Sequence, residues 1–79
     1  MNAVLPTLTV VMPSLNEEAN ITAAIESTLR AFDHYGITGE LIVVNDGSRD
    51  RTPELVKACM ARDSRIRLIE HDAPRGIGA

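Results

Sequence analysis

Two stretches decide how this chain folds: Leu8-Thr9-Val10-Val11-Met12-Pro13-Ser14-Leu15-Asn16-Glu17-Glu18, and further on Glu40-Leu41-Ile42-Val43-Val44-Asn45-Asp46-Gly47-Ser48-Arg49-Asp50-Arg51-Thr52. Each is a short apolar, β-branched run that breaks into polar turn formers, the pattern of a buried parallel strand meeting a loop. Pro13 is expected to stop the first run, and Asn45-Asp46-Gly47-Ser48 to turn the chain after the second. Between them the period changes. Ile21, Ala24, Ile25, Thr28, Leu29 and Phe32 recur at helical steps from Asn16 onward, so an amphipathic helix is predicted there. Glu17 and Glu18 are placed at its entrance, where carboxylates complement the dipole, and Gly36 at its C-terminal cap. Thr52 followed by Pro53 predicts a second helix with Thr52 as N-cap, carrying the stripe Leu55, Val56, Cys59 and Met60. That helix gives out near Asp63-Ser64, and Ile66-Arg67-Leu68-Ile69 is a third strand.

Strand, helix, strand, helix, strand with right-handed crossovers makes an α/β fold: a three-stranded parallel, Rossmann-like half-sheet with helices on its faces. Composition agrees. The chain has 79 residues, 44% of them hydrophobic and 24% charged, which suits one globular unit and neither a disordered tail nor a coiled coil. Only 3% are aromatic, so Val, Ile, Leu and Ala must build the core. Eight basic residues against eleven acidic ones leave a net charge of −3 and no cationic stripe, which argues against nucleic-acid binding. Cys59 alone permits neither an internal disulfide nor a multi-cysteine zinc site. No apolar run reaches the roughly 18 residues of a membrane span, and the N-terminus lacks a signal-peptide pattern, so a cytoplasmic location is expected. Ala73-Pro74-Arg75-Gly76-Ile77-Gly78-Ala79 reads as a loop leading towards another helix, which suggests the front part of a longer protein.

Ligands of an open parallel sheet bind beyond the carboxyl ends of its strands. If the first two strands are neighbours, about 4.8 Å apart, their loops share one rim, and Glu17 and Asp46 could line a single cleft. An ionised carboxylate there accepts hydrogen bonds, which fits the N–H of a base or the hydroxyls of a ribose and repels bare phosphate. The competing structural readings are a helix entrance for Glu17 and Glu18, a tight turn for Asn45 to Ser48, a small core residue for Cys59, and isolated surface residues for His34 and His71. Arg75 is the cation expected near the rim.

Several sharper motifs fail. A dinucleotide fingerprint should follow the first strand, where Pro13-Ser14-Leu15-Asn16 stands, and Gly76-Ile77-Gly78 lacks the third glycine. A calcium loop from Asp46 would need Gly and Glu where Arg51 and Lys57 stand. A phosphatase nucleophile two residues before Asp46 is replaced by Val44.

Val10 to Glu18 and Glu40 to Thr52, taken together, resemble the start of family 2 glycosyltransferases of the GT-A fold, most closely the dolichol-phosphate or polyprenyl-phosphate sugar transferase branch. The resemblance runs from about Leu8 to Ala79, making residues 1–79 a partial nucleotide-sugar-binding domain that ends before the family's Asp-x-Asp motif. It implies a UDP- or GDP-sugar donor, Mg²⁺ or Mn²⁺ with ligands beyond Ala79, and a lipid-phosphate or glycan acceptor. It also implies that Pro13, Leu15, Glu17, Val44 and Asp46 belong to the nucleotide pocket, with Asp46 on the base, while Arg75 and Gly76 approach the ribose and diphosphate. Asn45 departs from the usual Asp-Asp-Gly-Ser, and Leu15 replaces a frequent aromatic. No catalytic or metal-ligating residue is expected within the chain, which alone should be inactive. Peripheral membrane association of the longer protein and self-association of this chain are further expectations. The alternative is a non-catalytic α/β interaction module with the same fold.

Overall fold

The computed structural model describes residues 6–71. Its elements are β1 (Leu8–Ser14), α1 (Ile21–His34), β2 (Gly39–Asp46), α2 (Thr52–Arg62) and β3 (Ile66–His71). The strands form one parallel sheet in the order β1-β2-β3, with Val10 opposite Leu41 and Leu41 opposite Ile66. The predicted architecture is therefore present, with one refinement. Because the sheet grows in a single direction, both right-handed crossovers fall on the same face. Ile21, Ile25, Leu29 and Phe32 of α1 and Val56 and Cys59 of α2 share one core with Leu41, Val43 and Ile66. Side chains of a strand alternate, so Val11, Ile42, Val44 and Ile69 occupy the other face, where Val11 is 51% and Ile69 47% exposed.

β1 departs from its expected form in two ways. It lies at the edge of the sheet and is packed on one face only, by Val10 and Met12. It also continues through Pro13, which pairs in register with Val44. An edge strand tolerates proline because one side of it has no ladder to feed.

The helix ends also correct the sequence reading. α1 starts at Ile21, not near Asn16, and its first turn holds no acidic residue. Glu17 and Glu18 lie instead in the approach, where the Glu17 carbonyl accepts from the N–H groups of Asn20 and Ile21 (2.9 and 2.8 Å). At the other end Gly36 stands one residue past the Tyr35 C-cap with φ +62°. Ile37 N–H donates to Phe32 O and Gly36 N–H to Asp33 O, a Schellman motif that only a residue at ease with positive φ completes cheaply. Arg65 then brackets the lower edge, its guanidinium reaching Asp33 of α1 (2.8 Å) and Asp63 before β3 (2.7 Å).

Candidate nucleotide-binding edge

All three strands end at one rim, in Ser14, Asp46 and His71. The loops after β1 and β2 are stitched together across it. Asn16 N–H donates to Ser48 Oγ (2.9 Å), Glu17 N–H to Thr52 Oγ1 (2.9 Å), and Glu18 N–H to Asp50 Oδ2 (3.0 Å). In return Arg49 N–H donates to Asn16 Oδ1 (2.9 Å), which Asn16 permits by adopting φ +52°. Ser48, Asp50 and Thr52 alternate along the second loop, so three oxygens meet three successive amides of the first. Such a row of amides can cradle an anion elsewhere. Here side chains occupy it, and the first loop presents its own side chains to solvent instead.

The second loop is braced from within. Asn45 is buried and its Oδ1 accepts the Ser48 N–H (3.2 Å), so the residue that departs from the family's usual aspartate closes the turn as a neutral acceptor. Asp50 Oδ1 accepts both the Thr52 N–H (2.9 Å) and the Thr52 hydroxyl (2.5 Å). Burial pushes the Asp50 carboxyl up, but the bonds from the Thr52 hydroxyl, the Thr52 N–H and the Glu18 N–H outweigh it and hold the group below its ordinary range. Thr52 is thus not the side-chain cap the sequence predicts. Asp50 supplies the capping oxygen, and Thr52, fully buried at 0% exposure, spends its hydroxyl on joining the loops.

Pro13, one residue before the end of β1, lies on the open face opposite Val44, which is buried, while Leu15 and Glu17 are exposed on the first loop. A cleft of about 110 Å³ beside Glu17 is lined by Met12, Pro13, Asn20, Ile21 and Ala24. Asp46 does not line it. A larger cleft of about 470 Å³ lies at the amino-terminal edge, among Thr38, Gly39, Ser64, Arg65 and Arg67. That edge has neither the loops nor the helix N-termini that serve ligands, so the carboxyl rim remains the candidate site. Arg75 and Gly76 lie outside the described residues.

The structure adds residues that the sequence reading passed over. Arg49 and Arg51 are exposed on the second loop, so the rim carries cations of its own besides the expected Arg75. His71 is not isolated: its Nδ1 lies 3.1 Å from Asp46 Oδ1, across the register pair Asp46–His71. The signal available in the sequence was position alone, since each residue follows an apolar strand. Among the described residues no group of three or more His, Cys, Asp or Glu side chains assembles to hold a metal ion. These residues do not by themselves fit a metal centre.

The parallel α/β half-sheet is of the nucleotide-binding type, and the chain belongs to glycosyl transferase family 2, whose family model matches residues 9–79. Among relatives, a dolichyl-phosphate beta-glucosyltransferase of Trichomonas vaginalis is 38% identical over 76 residues, covering 90% of this chain and 23% of that protein. A low-salt glycan biosynthesis hexosyltransferase of Haloferax volcanii is 54% identical over 50 residues, covering 63% and 12%. The solved mannosyltransferase of Pyrobaculum calidifontis, in complex with GDP-Man and Mn²⁺, superposes with a TM-score of 0.69 at 25% identity, covering 92% of this chain and 21% of that one. The chain thus spans less than a quarter of the length of these proteins.

Proposed function

We propose that this chain is the donor-nucleotide-binding portion of a hexosyltransferase that moves a sugar from a UDP- or GDP-sugar to an acceptor, a polyprenyl phosphate being the favoured class. What carries the reading is family membership over residues 9–79 joined to Asp46 standing at the carboxyl end of the central strand. Pro13, Leu15, Glu17 and Val44 would border the nucleotide, and Asp46 would accept an N–H of its base, as an ionised carboxylate can only accept. Arg75 and Gly76 would approach the ribose and diphosphate. The relative that acts on dolichyl phosphate supports the lipid-phosphate acceptor, and the neighbour holding GDP-Man and Mn²⁺ supports a nucleotide-sugar donor and a divalent ion, whose ligands would lie beyond Ala79. No helix among the described residues is long and apolar enough to cross a membrane.

The test is calorimetric titration of the full-length protein with UDP and with GDP, each with Mn²⁺. Micromolar binding of one of them is expected. Binding of neither, in a protein that is folded by circular dichroism, favours the interaction-module alternative. Residues 1–79 alone should give no sugar transfer to a polyprenyl phosphate, because leaving-group charge calls for a bound cation and the described residues assemble no group of carboxylates, histidines or cysteines to hold one. Turnover above a metal-and-buffer blank would refute this.

A further inference from the structure

We infer that the donor base is guanine and that Asn20, working with Glu17, is the residue that selects it; the inference rests on the nucleotide reading above and not on the part given there to Asp46. The two residues are the polar lining of the cleft at the start of α1, about 110 Å³ in volume, whose walls are Met12, Pro13, Ile21 and Ala24. A site for a whole small molecule usually takes roughly 300 Å³ or more, so this cleft accepts one flat ring system and leaves sugar and phosphates on the open rim. Asn20 stands at the N-cap of α1, where a carboxamide ordinarily accepts from an N–H of the first turn. It makes no such bond. The Glu17 carbonyl holds the helix entrance instead, accepting from the N–H groups of Asn20 and Ile21. The Asn20 carboxamide and the Glu17 carboxylate are both exposed and have no hydrogen-bond or ion-pair partner among the described residues, so their polar atoms stand unspent beside an apolar wall.

That pair of groups matches one base edge. Guanine presents, side by side, the O6 acceptor, the N1–H donor and the N2 amino donor. An ionised carboxylate only accepts, so Glu17 can take N1–H on one oxygen and an N2 hydrogen on the other, while the Asn20 amide donates to O6. Uracil fits poorly: its single N–H lies between two carbonyl oxygens, so the second Glu17 oxygen would face an acceptor and be repelled. Adenine puts a bare ring nitrogen where guanine has N1–H and is disfavoured for the same reason. The other N2 hydrogen stays outside this contact, so the pair does not compete for the N–H assigned to Asp46.

The experiment is calorimetric titration of the full-length protein, with Mn²⁺, against GDP, IDP and UDP, with melting temperatures alongside. IDP is GDP without the N2 amino group. GDP should bind about tenfold more tightly than IDP, the lower end for a bond to a charged group, and UDP should bind more weakly than either. Glu17→Gln should bring GDP and IDP to within about twofold of each other, because an amide cannot accept from both donors as a carboxylate does. Asn20→Ala should weaken GDP about two- to tenfold, the range for a neutral bond, and leave the GDP-to-IDP ratio unchanged, since O6 is present in both. Neither side chain bonds the rest of the fold, so neither variant should shift the melting temperature. Tighter binding of UDP, equal binding of GDP and IDP, or a GDP affinity unmoved by Asn20→Ala overturns the inference while the donor-binding reading stands. Binding of no nucleotide by the folded protein removes both. If Asn20→Ala does not fold, Asn20→Ser takes its place, and the GDP-to-IDP ratio of the unsubstituted protein still decides the guanine assignment.

Discussion

Thr52→Val is the sharpest perturbation the structure offers, because it changes one buried atom and keeps the shape. The Thr52 hydroxyl donates to Asp50 Oδ1 and accepts from Glu17 N–H, bridging two loops separated by 35 residues in sequence. Valine has the same branching at Cβ, so packing and backbone preference are nearly unchanged, and what is lost is the pair of hydrogen bonds. Loss of the buried Thr52 hydroxyl removes two ordinary hydrogen bonds, each contributing about 0.5–1.5 kcal/mol, so the variant should lose about 1–3 kcal/mol. At the roughly 4–8 °C per kcal/mol of a domain of this size, the melting temperature should fall by roughly 4–24 °C. Thr52→Ser keeps the hydroxyl and gives up one methyl, and should lose only about 1 kcal/mol. The assay is urea denaturation followed by far-ultraviolet circular dichroism, with nucleotide titration on the same samples. If valine and threonine proteins unfold within about 0.5 kcal/mol of each other, the clamp contributes far less than an ordinary buried hydrogen bond and the account of the interlocked loops is wrong.

Gly39 sits beneath the Phe32 ring, and a Cβ there would come within 2.6 Å of Phe32 Cζ. Gly39→Ala should therefore cost about 1–3 kcal/mol in denaturation, and adding Phe32→Leu should recover part of it. Asp46→Asn keeps the shape and removes the charge, so it should weaken nucleotide binding about tenfold while leaving the melting temperature nearly unchanged. A collapse in stability instead would make Asp46 a turn residue. The Arg65 hydrogen bond holds the Asp63 carboxyl below its ordinary 3.8, against the opposing effect of burial. A depressed folded-state value gives stability that is present above the unfolded value and lost as pH falls through the folded one. The urea midpoint should accordingly hold from pH 7 to about 5 and drop below about 4, and Asp63→Asn should flatten that drop.

The position of the candidate rim was legible in the sequence because strands of a parallel sheet announce their ends. The apolar runs stop at Met12 and Val44, and the polar residues that follow stand on or beyond the rim, so Glu17 and Asp46 could be named as candidates from position. Partners were not legible. Ser48, Asp50 and Thr52 resemble any helix entrance when read along the chain, and only closure of the fold brings them to the amides of Asn16, Glu17 and Glu18. His71 looked solitary for the same reason, 25 residues from Asp46 in sequence and opposite it in register.

By itself the sequence determined the order of elements, the parallel sheet and the cap at Gly36, because period, chirality and positive φ are properties of a few consecutive residues. Only the tertiary structure decided that both helices cover one face, that β1 is an edge able to absorb Pro13, and that α1 begins at Ile21. It also decided that three oxygens of one loop hold three amides of the other. The reason is physical: a local pattern records which residues want burial or a turn, whereas a hydrogen bond across more than 30 residues depends on strand register and loop closure.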